Sequence, residues 1–166
     1  IITESQCFDI ESFIPLLREH IVITNPFVRT FLVGWITLLD SVPDIELLDF
    51  LPDFLEGLFN MLADPSREIR QQADSALAEF LRELKGAPDV EFGRLVPIVI
   101  AQVQATDPLC RRTAIFWLHE FIQIGGEKLL PYVAKHQIVG ALLKATSHTE
   151  EDIRAAAAAA ALDLKA

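Results

Sequence analysis

A chain of 166 residues, 51% of them apolar and with a positive mean hydropathy, can bury a substantial core without help from disulfides or metals. Its formal charge of −10 and pI near 4.8 argue against direct binding of nucleic acid or anionic lipid, because both require clustered Lys and Arg to displace counterions. The two cysteines, Cys7 and Cys110, stand far apart and form no C-x-x-C pair, which excludes a secreted disulfide framework and fits a reducing cytosolic setting. The chain opens with Ile1-Ile2, shows no signal peptide and holds no apolar stretch long enough to cross a bilayer, so an internal segment of a larger soluble protein is expected.

In chain order the periodicity predicts helices near 10–22, 26–40, 44–62, 65–85, 90–105, 108–124, 127–145 and 150–165. Helix-start signals recur as Asn25-Pro26, Asp64-Pro65, Asp107-Pro108 and, more loosely, Thr149-Glu150, at intervals of 39, 43 and 42 residues. Asn, Asp and Thr accept from the unpaired first amides of a helix, and Pro just inside has no amide to lose. Behind each start comes an arginine, Arg29, Arg70, Arg111 and Arg154. Ahead of each lies a helical run containing Pro15, Pro52, Pro97 or Pro131. Pro97 and Pro131 predict either a kink or a later helix start.

Within the second repeat, Leu51, Phe54, Leu55, Leu58, Phe59 and Leu62 make one apolar stripe at helical spacing. Ile69, Ala73, Ala76, Leu77, Phe80, Leu81 and Leu84 make another, opposite a polar face of Arg67, Gln71, Asp74, Ser75, Arg82 and Glu83. Lys85-Gly86 before Pro88, and Gly125-Gly126, punctuate helix ends. Two helices per period of about 40 residues is the spacing of HEAT units. The expected fold is all-α, an α-α superhelix (HEAT-repeat solenoid) of about four helix pairs, with units at 8–42, 44–86, 88–125 and 127–166. No unit of such a stack buries its apolar face alone, so an apolar face is expected to stay open at one or both ends.

Chemistry-bearing patterns are sparse. His20, His119, His136 and His148 lack metal-ligand spacing, and no nucleophile elbow, P-loop or dinucleotide glycine pattern occurs. No catalytic residue, cofactor or metal is expected. Trp35 and Trp117 sit among apolar helical neighbours and are expected to be buried. Because Arg29, Arg70 and Arg111 recur with the repeat, they are expected to tie layers together by pairing with a neighbouring unit's Asp or Glu, whereas Arg67 and Arg112 are candidates to meet a partner. An acidic strip of Asp40, Asp44, Glu46, Asp49, Asp53 and Glu56 reads first as a solvated face, and second, through Asp44, Glu46 and Asp53, as a patch for a basic partner. The run Ala155–Ala161 forms helix readily but has too little side-chain volume to fill an ordinary interhelical groove.

The residues Phe13-Ile14-Pro15-Leu16-Leu17-Arg18-Glu19, Thr24-Asn25-Pro26-Phe27-Val28-Arg29, Phe31-Leu32, Trp35 and Ser41-Val42-Pro43-Asp44-Ile45 through Leu62 resemble the amino-terminal HEAT region of the Vac-fourteen (vacuole morphology) family, most closely over residues 8–85. The resemblance weakens beyond there, although Thr106-Asp107, Trp117 and Leu130-Pro131-Tyr132 still carry it. It implies a non-catalytic scaffold that holds a phosphatidylinositol 3-phosphate 5-kinase and a SAC-type phosphoinositide 5-phosphatase on vacuolar and endosomal membranes, controlling phosphatidylinositol 3,5-bisphosphate. Membrane association would then be indirect, and self-association would use regions outside this segment. The alternative is an adaptor of the nuclear transport receptor type, whose acidic helical repeats bind basic cargo.

Overall fold

The computed structural model describes residues 9–42, 45–135 and 137–146, together with 151, 154, 155, 158, 159, 162 and 163. Among the described residues every regular element is helical: α1 (Ile10–His20), α2 (Pro26–Asp40), α3 (Leu51–Met61), α4 (Arg67–Gly86), α5 (Phe92–Val103), α6 (Pro108–Gly125), α7 (Leu130–Lys135) and α8 (Ile138–Thr146). The protein is an all-α helical repeat of packed helix pairs. Two compact units divide it, Ile1–Phe80 and Leu81–Ala166, and the division falls within α4.

In the first unit, α1 starts where the Asp9 carboxylate accepts from the amides of Glu11 and Ser12. Its buried stripe, Ile14 and Leu17, faces α3, whose Leu51, Phe54, Leu55 and Leu58 are wholly buried. Gly57 of α3 lies against Ile21 so closely that an added methyl would overlap the Ile21 side chain. Phe54 and Phe80 complete this core with ring centroids 5.4 Å apart. An exposed ion pair, Arg18 Nη1 to Asp53 Oδ1 at 3.1 Å, ties α1 to α3 at the edge.

The second unit centres on the pair α5 and α6, with α7 and α8 packed on α5. Phe121 meets Phe92 edge-on at 5.4 Å and Trp117 at 5.8 Å. Gly125 lets the Phe92 ring approach, since a Cβ there would fall 2.9 Å from it. Gly126 then turns the chain at φ +48°, a conformation that costs a residue without Cβ little. Lys85 Nζ at the end of α4 reaches Glu120 Oε2 of α6 at 2.7 Å.

Several helix bounds differ from the sequence expectation, for local reasons. The run expected from 44 begins as a 3-10 turn, Leu47–Phe50, and becomes α-helical at Leu51, where Pro52 occupies the first turn. The same device recurs at Gly126–Leu129 and Leu130-Pro131, the later start that Pro131 predicts. The helix expected over 127–145 is broken into α7 and α8 around Gln137, which has φ 52°. Pro15 and Pro97, by contrast, lie inside α1 and α5. Most of the expected 150–165 helix, including Thr149-Glu150, lies outside the described residues, as do Cys7, Asp44, His136 and His148.

Candidate protein-interaction surface

The inter-helix turns share one construction. Asn25 Oδ1 accepts from the amides of Phe27 (2.9 Å) and Val28 (3.4 Å), and Asp107 Oδ1 accepts from those of Leu109 (2.9 Å) and Cys110 (3.0 Å), with Pro26 and Pro108 as first helical residues. The carbonyls of Asn25 and Asp107 take the amides of Arg29 and Arg111 at 3.0 and 3.1 Å. In the middle turn the carbonyl that takes the Arg70 amide, at 3.1 Å, belongs to Ser66, and α4 begins at Arg67. The Asp64-Pro65 signal therefore stands before the helix rather than at its cap. Counted from Asn25 to Ser66 and from Ser66 to Asp107, the repeat is 41 residues both times, as it is from Arg29 to Arg70 to Arg111. The uneven intervals of the Asx-Pro dipeptides come from aligning on Asp64.

Each repeated arginine then donates to the carbonyl six residues before it. Arg29 Nε reaches Ile23 O at 3.1 Å, Arg70 Nη1 reaches Asp64 O at 2.7 Å, and Arg111 Nε and Nη2 reach Ala105 O at 3.0 and 2.5 Å. A guanidinium presents several donors in a fixed plane, so it can close a turn whose carbonyls have lost their helical partners. Among these bonds only that of Arg29 is accompanied by a carboxylate: Nη1 also meets Asp64 Oδ2 at 2.5 Å, with the two side chains 10% and 4% exposed. The Asp64 carboxylate further accepts from the Ser66 amide at 2.8 Å. Arg70 and Arg111 latch their own turns, whereas Arg29 both latches its turn and pairs with Asp64 of the next repeat. Arg154 is helical and exposed.

The candidate partner residues separate in the same way. Arg67 and Glu46 are exposed. Asp53 is drawn into its pair with Arg18, which spends its charge inside the fold. Asp44 lies outside the described residues. Arg112 is exposed on α6, one turn before Phe116, which is 50% exposed. Further along that strip, His119 Nε2 and Gln123 Nε2 both meet Asp163 Oδ2, at 2.5 and 2.6 Å. Arginine and phenylalanine are both enriched in protein interfaces relative to the rest of the surface.

Trp117 is buried as expected, but Trp35 is half-buried, with Phe13 tilted against it at 5.9 Å and the exposed Phe31 edge-on at 5.8 Å. Ser66, Phe27, Phe31 and Asp163 are the residues that sequence reasoning passes over. For Ser66 the signal was present, since aligning on the arginines instead of the prolines finds it. Among the described residues no group of three or more His, Cys, Asp or Glu is placed to hold a metal, and no helix is long and apolar enough to cross a membrane.

No family model matches the chain. It is 57% identical to the Protein VAC14 homolog of Arabidopsis thaliana over 157 residues, which is 95% of this chain and 21% of that protein. It is 29% identical over 181 residues to the Protein VAC14 homolog of Schizosaccharomyces pombe, covering 77% of this chain and 22% of that protein. It is 40% identical over 77 residues to the Vacuole morphology and inheritance protein 14 of Saccharomyces cerevisiae, covering 46% of this chain and 9% of that protein. The chain thus spans about a fifth of the length of the first two relatives. On the 57% identity to the plant protein over 95% of this chain, together with the helical repeat the sequence and structure share, the chain belongs to the VAC14 family.

Proposed function

We propose that this chain is a non-catalytic, protein-binding segment of a vacuole-related scaffold, which assembles a phosphatidylinositol 3-phosphate 5-kinase with a SAC-type phosphoinositide 5-phosphatase and so controls phosphatidylinositol 3,5-bisphosphate. The observation that carries it is the 57% identity over 95% of the chain to a VAC14 homolog. A link to the vacuole is supported by the name of the budding-yeast relative, which refers to vacuole morphology and inheritance. Physically, helix pairs that bury one stripe leave the other for partners, and here that outer surface offers Arg67 at the head of α4 and Arg112 with Phe116 on α6. A charge of −10 disfavours direct adhesion to anionic lipid, so the reading places the protein at vacuolar and endosomal membranes through its partners.

The test is affinity purification of the full-length protein from cells. Both enzymes are expected in the eluate. Recovery of neither overturns the reading and leaves only the fold and the family. Specific binding of a basic localisation peptide at micromolar affinity, with neither enzyme recovered, would put the transport-adaptor alternative in its place.

A further inference from the structure

The helix α2 is apolar on two opposite sides. Arg29, Leu32, Val33, Ile36 and Leu39 make the side that is buried. At about 100° per residue, Phe27, Phe31 and Leu38 fall on the opposite side within an arc of about 40°. They stay 85%, 61% and 49% exposed. Between Phe31 and Leu38 on that side stands Gly34, with nothing within 4 Å of where a Cβ would sit, so the strip carries a notch. It runs about 16 Å, three helical turns, and Trp35 broadens it by meeting Phe31 edge-on at 5.8 Å. A helix that buries one stripe ordinarily turns polar residues to the other side.

The next repeat follows that ordinary pattern. Counted 41 residues on, Phe27, Phe31, Gly34 and Leu38 correspond to Glu68, Gln72, Ser75 and Glu79 of α4, all polar and all exposed or half-buried. This is therefore not the side on which layers pack. The packing side of α2 is given by Val28 and Leu32, whose counterparts Ile69 and Ala73 are 1% and 0% exposed. An apolar strip at these positions serves neither the core of its own repeat nor the regular contact between repeats, and large exposed apolar groups so aligned mark a contact surface.

Charge says what fits it. The first compact unit, Ile1–Phe80, holds 4 Lys and Arg against 14 Asp and Glu, whereas residues 81–166 hold 10 of each, so the whole formal charge of −10 lies in the unit that carries the strip. Of its arginines, Arg29 is buried against Asp64, Arg18 pairs with Asp53 and Arg70 donates to its own turn. The strip itself holds no charge, and α2 ends on Asp40. We propose that the outer side of α2, with Phe27, Phe31 and Leu38 around the Gly34 notch, docks a basic amphipathic helix of a partner protein. Its apolar face would lie along the three turns of the strip and its Lys and Arg would meet the acidic surroundings. The proposal rests on the scaffold reading only in taking the occupant to be protein, and peptide binding can fail while both enzymes are still recovered from cells.

The test uses the full-length protein and a fluorescent leucine/lysine amphipathic helical peptide, read by anisotropy. Micromolar binding is expected, weakened by about tenfold or more in Phe27→Ala and Phe31→Ala and unchanged in Leu130→Ala, an exposed leucine of α7. A peptide of the same apolar face with Glu in place of Lys is expected to bind at least about tenfold more weakly. Equal binding of the two peptides, or equal binding by the strip variants and the parent, overturns the proposal. Gly34→Leu fills the notch while adding apolar surface, and is expected to weaken binding; tighter binding would mean an undiscriminating apolar patch and also overturns it. The melting temperatures of Phe27→Ala and Phe31→Ala are expected to match the parent. A drop of several degrees would show the strip covered by the protein's own chain, and strip-dependent pelleting with phosphatidylcholine/phosphatidylserine vesicles would assign it to a membrane; either result overturns the proposal.

Discussion

Arg29 and Asp64 form a buried ion pair, Nη1 to Oδ2 at 2.5 Å, that fastens the start of α2 to the turn preceding α4. Each side chain is held by a second bond, because Arg29 Nε also donates to the Ile23 carbonyl and the Asp64 carboxylate also accepts from the Ser66 amide. Removing one member strands the other in a dry site, a loss of roughly 3–5 kcal/mol. Asp64→Ala is therefore expected to destabilise by about 3 kcal/mol or more. Asn25→Ala, an exposed cap, is expected to cost about 1 kcal/mol. Urea unfolding of the two variants checks the ranking, and equal losses would show that Asp64 acts only on its own turn.

Coupling between the two charges gives a sharper measurement. A double-mutant cycle of Arg29→Ala and Asp64→Ala is expected to return an interaction energy of at least about 1 kcal/mol, since the residues share one network. The corresponding cycle for Arg18 and Asp53, whose arginine side chain is 63% exposed, is expected to return less than about 1 kcal/mol. Raising the salt concentration should weaken the second pair and leave the first nearly unaffected.

Glycine substitutions separate propensity from packing. Gly34 lies in α2 with open space where a Cβ would go, so Gly34→Ala is expected to stabilise by about 0.5–1 kcal/mol through helix propensity alone. Gly57→Ala has the same propensity gain but forces its methyl into Ile21, and overpacking of about 1–3 kcal/mol should outweigh it. Opposite shifts in melting temperature are the expected outcome. A stabilised Gly57→Ala variant would mean that α1 does not sit on α3 as described.

Cys110 gives a pH signature. Burial first, then the neighbouring Asp107 charge and a hydrogen bond to it, push the thiol from its usual 9.0 up to about 12. The folded state holds that proton more tightly than the unfolded chain does, so the contribution to stability is fully present below pH 9 and is lost as pH rises from 9 toward 12. Native Cys110 should resist alkylation at pH 8 and react promptly once the protein is unfolded in urea. Replacing it with alanine should flatten the alkaline limb of the stability curve, measured against the parent chain. Rapid alkylation of the native thiol at pH 8 would contradict its burial.

The helical class and the repeat were legible because they depend on local chemistry. Apolar stripes at helical spacing, Asx caps at Asn25 and Asp107 and glycine stops at Gly86 and Gly125 act within a turn or two of chain, and α2 runs over the expected residues. The true period of 41 was also present in the arginines, but Asp64-Pro65 obscured it. That dipeptide looks like a cap when read locally, and its carboxylate is in fact recruited by Arg29, 35 residues away. A residue with two available partners is assigned by whichever the tertiary packing brings close, and no local pattern encodes that choice.

The sequence by itself determined that this chain is helical, paired and acidic, and through its match to known relatives it determined the family. Only the tertiary structure decided which acids are spent inside the fold, as Asp53 and Asp64 are, and which apolar residues are left open, as Phe27 and Phe31 are. The reason is physical. Periodicity says that a helix has an apolar stripe, but which flank of that stripe is covered depends on the neighbours that pack against it, and those neighbours lie a full repeat away.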